Sequence, residues 1–146
     1  MYRRILLPTN GSELCVSAVK RGIEFAKEIG ASVVGFHAIP ATSYLIYTEA
    51  GPSDVLAEQF EKDAMARGQK LVDEVCDAAR AAGVPADSLL LTNDHPWEAI
   101  IEAAATKGCD LIFMASHGRR GLSALLLGSE TARVLTHTTI PVLVYR

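Results

Sequence analysis

Leu111-Ile112-Phe113-Met114-Ala115-Ser116-His117-Gly118-Arg119-Arg120-Gly121 is followed, six residues later, by Gly128-Ser129-Glu130-Thr131. An apolar run too short for a helix passes into a stretch of glycine, hydroxyl and arginine residues, and a new helix start follows. Apolar residues in an unbroken run, rather than in alternation, mark a parallel strand covered on both faces. Four further segments read the same way: Ile5 to Leu7, Ser32 to Phe36, Ser88 to Leu91 and Pro141 to Tyr145. With the central run, Asp110 to Met114, they make five predicted strands.

Helical spacing fills the intervals. Val16, Val19, Ile23 and Ala26 form one stripe, with Ser12 as its N-cap and Gly30 as its stop. Leu56, Phe60, Ala64, Leu71, Val75 and Ala79 keep a similar period until Gly83-Val84-Pro85. A third helix enters at His95-Pro96, carries Ile100, Ile101 and Ala104, and stops at Lys107-Gly108. A fourth follows Gly128-Ser129 and carries Val134 and Leu135. Strand and helix alternate throughout, which predicts an α/β fold: one Rossmann-like, doubly wound domain over residues 1–146, with a five-stranded parallel sheet and helices on both faces. Between Pro40 and Ser53 the helical period is lost, and Tyr44, Tyr47, Gly51 and Pro52 predict a loop or lid.

Composition narrows the class. The 146 residues are 49% hydrophobic, 21% charged and 6% aromatic, which excludes a disordered or collagen-like chain. Fourteen Lys and Arg against 17 Asp and Glu leave a net charge of −3, which disfavours nucleic acid and anionic membrane as partners. Ile5-Leu6-Leu7 is too short for a signal-peptide core, and no run approaches the ~20 apolar residues of a membrane span. Cys15, Cys76 and Cys109 are dispersed and odd in number, so they read as reduced thiols and point to the cytoplasm.

Ligands of open α/β sheets bind outside the carboxyl ends of the strands, where the winding reverses. The segments to inspect are therefore Pro8 to Ser12, His37 to Pro40 and Ala115 to Ser129. Small residues and a helix start in the last of these can bring backbone N–H groups and a positive dipole end onto an anion. The same residues equally read as a turn at Gly118 and Gly121, a helix cap at Ser129 and a solvated arginine pair. Neither G-x-G-x-x-G after the first strand nor a P-loop is present, which disfavours a dehydrogenase or a Walker-type ATPase.

Three features together resemble the universal stress protein family over the whole chain: Gly118, nine residues, then Gly128-Ser129; the opening Ile5 to Ser12; and the close Pro141 to Val144. The resemblance implies the strand order 3-2-1-4-5 and an adenine nucleotide, ATP or AMP, with Mg²⁺ only alongside it. Pro8, Thr9 and Asn10 would then edge the adenosine, and the backbone at Ala38 the adenine rim. Met114, Ala115, His117, Gly118, Arg119 and Gly128 would surround the ligand, while Ser129, Glu130 and Thr131 face the phosphates. Glu130 is expected to point outward and offer only its N–H. Gly128→Val is expected to abolish binding while leaving the fold largely intact. Two positions depart from the family pattern: Ala115 stands where the first glycine of the motif falls, and Asn10 where an aspartate is usual.

No Cys/His cluster has zinc spacing, so no metal site is assigned, although His37 and His117 both fall on the ligand edge. Ser129, His117 and Asn10 lack a nucleophile elbow, and no catalytic residue is assigned. The final strand, Pro141 to Tyr145, should form a sheet edge, which a second copy could cover to give a homodimer, as the family commonly does. The expectation is a cytoplasmic stress-response protein, binding a nucleotide and signalling to an unidentified downstream protein, with at most slow hydrolysis. The alternatives are an interaction protein whose nucleotide site has degenerated and, more weakly, a slow nucleotide hydrolase.

Overall fold

A computed structural model of the chain describes residues 1–41, 47–49, 51–117 and 126–146. In chain order its elements are β1 (Arg4–Pro8), α1 (Glu13–Ile29), β2 (Ser32–Ile39), β3 (Tyr47–Thr48), β4 (Gly51–Pro52), α2 (Asp54–Ala81), β5 (Ala86–Thr92), α3 (Pro96–Thr106), β6 (Leu111–Ala115), α4 (Ser129–His137) and β7 (Val142–Tyr145). Five strands form a wholly parallel sheet in the order β5-β2-β1-β6-β7, which is 3-2-1-4-5 among the sheet strands. The winding runs outward from β1 in one direction and from β6 in the other, so the reversal lies between these two central strands.

Alternation along the strands assigns the helices to faces. Ile5 and Leu7 of β1 and Phe113 of β6 face α1 and α2, packing with Ala18, Ile23, Val75 and Ala79. Leu6, Ile112 and Met114 face the other way, onto Ala99, Ile100, Ala103 and Val134 of α3 and α4. Burial of Leu6 and Leu7 is complete, and truncating either to alanine would cost about 2–5 kcal/mol.

Local chemistry sets the helix ends. Ser12 Oγ accepts the Cys15 N–H, and Ser53 Oγ accepts the Leu56 N–H, each satisfying an orphan donor of a first turn. Gly30 ends α1 at φ 71°, a left-handed conformation that glycine adopts without a Cβ penalty. Pro96 opens α3, where its missing N–H costs nothing.

Several expectations are corrected. Val16 is not in the buried stripe but 56% exposed, because the face that α1 turns onto the sheet carries Cys15, Ala18, Val19, Gly22, Ile23 and Ala26. Leu56, Phe60 and Leu135 are also exposed, and burial along α2 begins only at Ala64. The second sheet strand continues to Ile39 and the third begins at Ala86, each extended by pairing with the other. Within the expected loop, Tyr47–Thr48 and Gly51–Pro52 pair as a short antiparallel ribbon. Residues 42–46 and 50 of that loop lie outside the described residues. Among the described residues, no helix is long and apolar enough to cross a membrane.

Candidate functional site

The carboxyl end of β1 leads into a loop held by its own side chains. Thr9 N–H donates to the Phe36 carbonyl at 2.8 Å, tying the loop to β2. Thr9 Oγ1 accepts the Gly11 N–H, and Asn10 Oδ1 accepts the Ser12 N–H at 2.9 Å. The second contact is an Asx turn, the arrangement through which asparagine imitates a backbone turn. It directs Asn10 Oδ1 inward to its own loop and leaves the amide NH₂ as what this residue can offer a ligand. His37, at the end of β2, lies with Nδ1 2.8 Å from the Thr9 carbonyl. A carbonyl only accepts, so Nδ1 carries the proton in this contact.

On the other side of the reversal, α4 is fastened to the end of β6. Gly128 N–H donates to the Ser116 carbonyl at 2.7 Å, and Thr131 Oγ1 donates to the Ala115 carbonyl at 2.9 Å. Ser116 N–H in turn donates to the Tyr145 carbonyl at 2.7 Å, so β7 is part of the same junction. The first turn of α4 thus reaches the carboxyl ends of the central strands, with the positive end of its dipole turned to that edge.

These elements enclose a cleft of about 170 Å³ at the winding reversal. Among the expected site residues it brings together Pro8, Thr9, Asn10, Ala38, Met114, Ala115, His117, Glu130 and Thr131. Gly128 and Ser129 are not among the residues that line it, and Gly118 and Arg119 lie outside the described residues. Phe36, Cys15, Pro96 and Ile100 line the cleft without having been anticipated. The starts of α1 and α3 meet this edge by topology alone, and only that argument could have added them.

Two expectations for the start of α4 are corrected. The N-cap is Gly128, with Ser129 already helical and no side-chain cap bond. Glu130 does not simply point outward: its carboxylate accepts the Trp97 N–H of the first turn of α3 at 2.9 Å and also lines the cleft. A carboxylate at the amino end of α3 is favoured by that helix's dipole as well as by the bond. Gly128→Val would not leave the fold untouched, since even a Cβ at Gly128 would sit 2.9 Å from both the Ser116 oxygen and the His117 Cα.

Two displaced ionisations, those of Asp87 and Cys109, lie at the opposite edge of the sheet. Asp87 is held below the usual carboxylate range, foremost by its hydrogen bond from Lys107. Burial pushes the Cys109 thiol up to about 11. Among the described residues no group of three His, Cys, Asp or Glu side chains is placed to hold a metal ion. The cleft is therefore apolar and hydrogen-bonding in character, and Glu130 is the single fixed charge among its described lining residues.

A doubly wound parallel sheet with a cleft at its reversal defines a Rossmann-like α/β protein, the class of fold in which ligand sites lie at this edge. The Universal stress protein family model matches residues 1–146, and the chain belongs to that family. It is 31% identical to universal stress protein MJ0531 of Methanocaldococcus jannaschii over 146 residues, covering 100% of this chain and 83% of that protein. The solved structure of protein MJ0577 from the same organism is similar at a TM-score of 0.84 and 26% identity, over 99% of this chain and 95% of that one. A universal stress protein solved in complex with cAMP is similar at a TM-score of 0.71 and 25% identity, over 99% of this chain and 97% of that one.

Proposed function

We propose that this universal stress protein binds an adenine nucleotide, ATP or AMP, in the cleft and acts as a dimeric, cytoplasmic stress-response module. The observation that carries the reading is the convergence of Thr9 and Asn10, Ala38, Ala115 and the first turn of α4 on one cleft at the winding reversal. The relative solved with cAMP supports the ligand class. In this reading Pro8, Thr9 and Asn10 edge the adenosine, Ala38 meets the base and Met114 underlies it. Ala115, His117, Gly118, Arg119 and Gly128 flank the ribose and phosphates, and the backbone of Ser129 to Thr131 offers the phosphates N–H groups and a helix dipole. Mg²⁺ would arrive with the phosphates. The bound state, rather than turnover, carries the signal to a downstream protein.

Titration calorimetry of nucleotide-stripped protein with ATP and AMP, with and without Mg²⁺, tests this. Saturable binding at micromolar concentration is expected, with no product release. Heat indistinguishable from dilution up to millimolar ligand would favour the second reading, an interaction protein with a degenerated site. That alternative draws on Glu130, whose carboxylate on the cleft wall would oppose a phosphate. Dimerisation through β7 is tested separately. The carbonyls of Pro141 and Tyr145 bond to β6, so the alternation of a parallel ladder turns the backbone of Val142 and Val144 away from it. Val144→Pro removes an outward N–H and should sediment as a monomer while the wild type sediments as a dimer.

A further inference from the structure

The one fixed charge among the described lining residues of the cleft has the same sign as the proposed ligand. Glu130, half-buried in the first turn of α4, turns Oε2 to the Trp97 N–H at 2.9 Å, so its carboxylate is pinned between α4 and α3 on the cleft wall. In the proposed reading the phosphates meet the N–H groups of that same turn. A carboxylate beside them is repulsive by itself, and the sign of the interaction reverses when a divalent cation stands between the two anions.

The donor set fits such a cation at α4 and not at the loop after β1. Asn10, where the family pattern has an aspartate, engages Oδ1 with the Ser12 N–H, and its NH₂ can only donate, so that loop offers a cation no charge. The hydroxyls of Thr9 and Thr131 are committed to the Gly11 N–H and the Ala115 carbonyl. His37 and His117 bring nitrogen to the cleft, whereas Mg²⁺ favours oxygen. A carboxylate has about four lone-pair sites, so the bond from Trp97 leaves Glu130 able to coordinate. Mg²⁺ is ordinarily held by a carboxylate or two together with substrate phosphates and water, rather than by a cage of protein ligands. A single carboxylate on the phosphate wall is therefore a sufficient protein share, and the nucleotide completes the site.

We infer that Glu130 is this chain's ligand to a Mg²⁺ ion shared with the nucleotide phosphates, so that the carboxylate makes ATP binding metal-dependent. This rests on the adenine-nucleotide reading above. The test is calorimetric titration of the nucleotide-stripped full chain, wild type and Glu130→Gln, with ATP and with adenosine, each in chelator and in excess Mg²⁺. Glutamine keeps an acceptor for the Trp97 N–H, so the variant should fold, which a melting curve checks. In the wild type Mg²⁺ should tighten ATP binding about tenfold. In Glu130→Gln that gain should vanish, while ATP in chelator should bind more tightly than it does to the wild type, because the repulsion is gone. Adenosine carries no phosphate and should respond to Mg²⁺ in neither protein. ATP binding to the wild type that ignores Mg²⁺ would overturn the inference and leave the nucleotide reading standing. So would a gain of equal size in both proteins, since the phosphates would then hold the metal without Glu130. If neither ATP nor adenosine binds the wild type in either condition, both fall.

Discussion

Gly128 and Ser116 are in direct backbone contact: the Gly128 N–H donates to the Ser116 carbonyl at 2.7 Å, and a Cβ on Gly128 would stand 2.9 Å from that oxygen. With φ at −61° the backbone of Gly128 is ordinary, so the demand is for space and not for a left-handed conformation. Gly128→Val should therefore destabilise the fold by about 1–3 kcal/mol, the cost of overpacking. Thermal unfolding should show a loss of several degrees. A melting temperature within a degree of wild type would mean that α4 shifts freely, contrary to its fastening by Thr131.

Glu130 joins α4 to α3 through the Trp97 N–H. Glu130→Gln keeps an acceptor but removes the charge at the amino end of α3, so a loss of about 0.5–1 kcal/mol is expected. The same change removes the one fixed charge among the described cleft residues and should raise ATP affinity several-fold relative to adenosine. Trp97 fluorescence follows both effects. Weaker ATP binding in this variant would place the phosphates away from Glu130.

Asp110 anchors the start of β1. Its carboxylate accepts the N–H groups of Arg3 and Arg4 at 2.9–3.1 Å. Burial alone would raise its pKa, but these bonds outweigh burial and hold it below the usual carboxylate range. A depressed folded-state pKa contributes stability that is fully present above the unfolded value and is lost as pH falls through the folded one. Asp110→Asn should thus be about 1 kcal/mol less stable than wild type at pH 7, water at this edge screening the rest. In urea unfolding the difference should shrink below about pH 4. A difference that stays constant down to pH 2 would contradict the assignment.

Cys109 and Cys76 should be inert thiols. Burial raises both, Cys109 to about 11, and Cys76 Sγ is engaged with the Asp87 carbonyl at 3.4 Å. At pH 8 a thiol of that pKa is roughly one part in a thousand thiolate. Alkylation followed by mass spectrometry should label these two only after denaturant is added, and rapid labelling of Cys109 in buffer would show local opening at the start of β6.

Most of the architecture was legible from local chemistry. Five apolar runs, Ser12 and Gly30 at the ends of α1, and Pro96 at the start of α3 are decided by burial on two faces and by the needs of helix termini, which act within a few residues. The strand order followed from resemblance alone, and pairing confirmed it. The ribbon at Tyr47–Thr48 and Gly51–Pro52 went unread because two-residue strands carry no period.

The site was legible as an edge but not as a surface. Sequence by itself determined that Pro8 to Asn10, Ala38, Ala115 to His117 and the start of α4 come to the carboxyl ends of the strands, because strand–helix alternation with one handedness of crossover permits little else. Only the tertiary structure decided which side chains face the cleft. Glu130 turns to an N–H 33 residues away in sequence, Val16 falls outside the face that α1 packs on the sheet, and Gly68 lets α2 come close to His37 and Leu90. Each depends on contacts between elements that are distant along the chain, and such contacts leave no mark on local spacing.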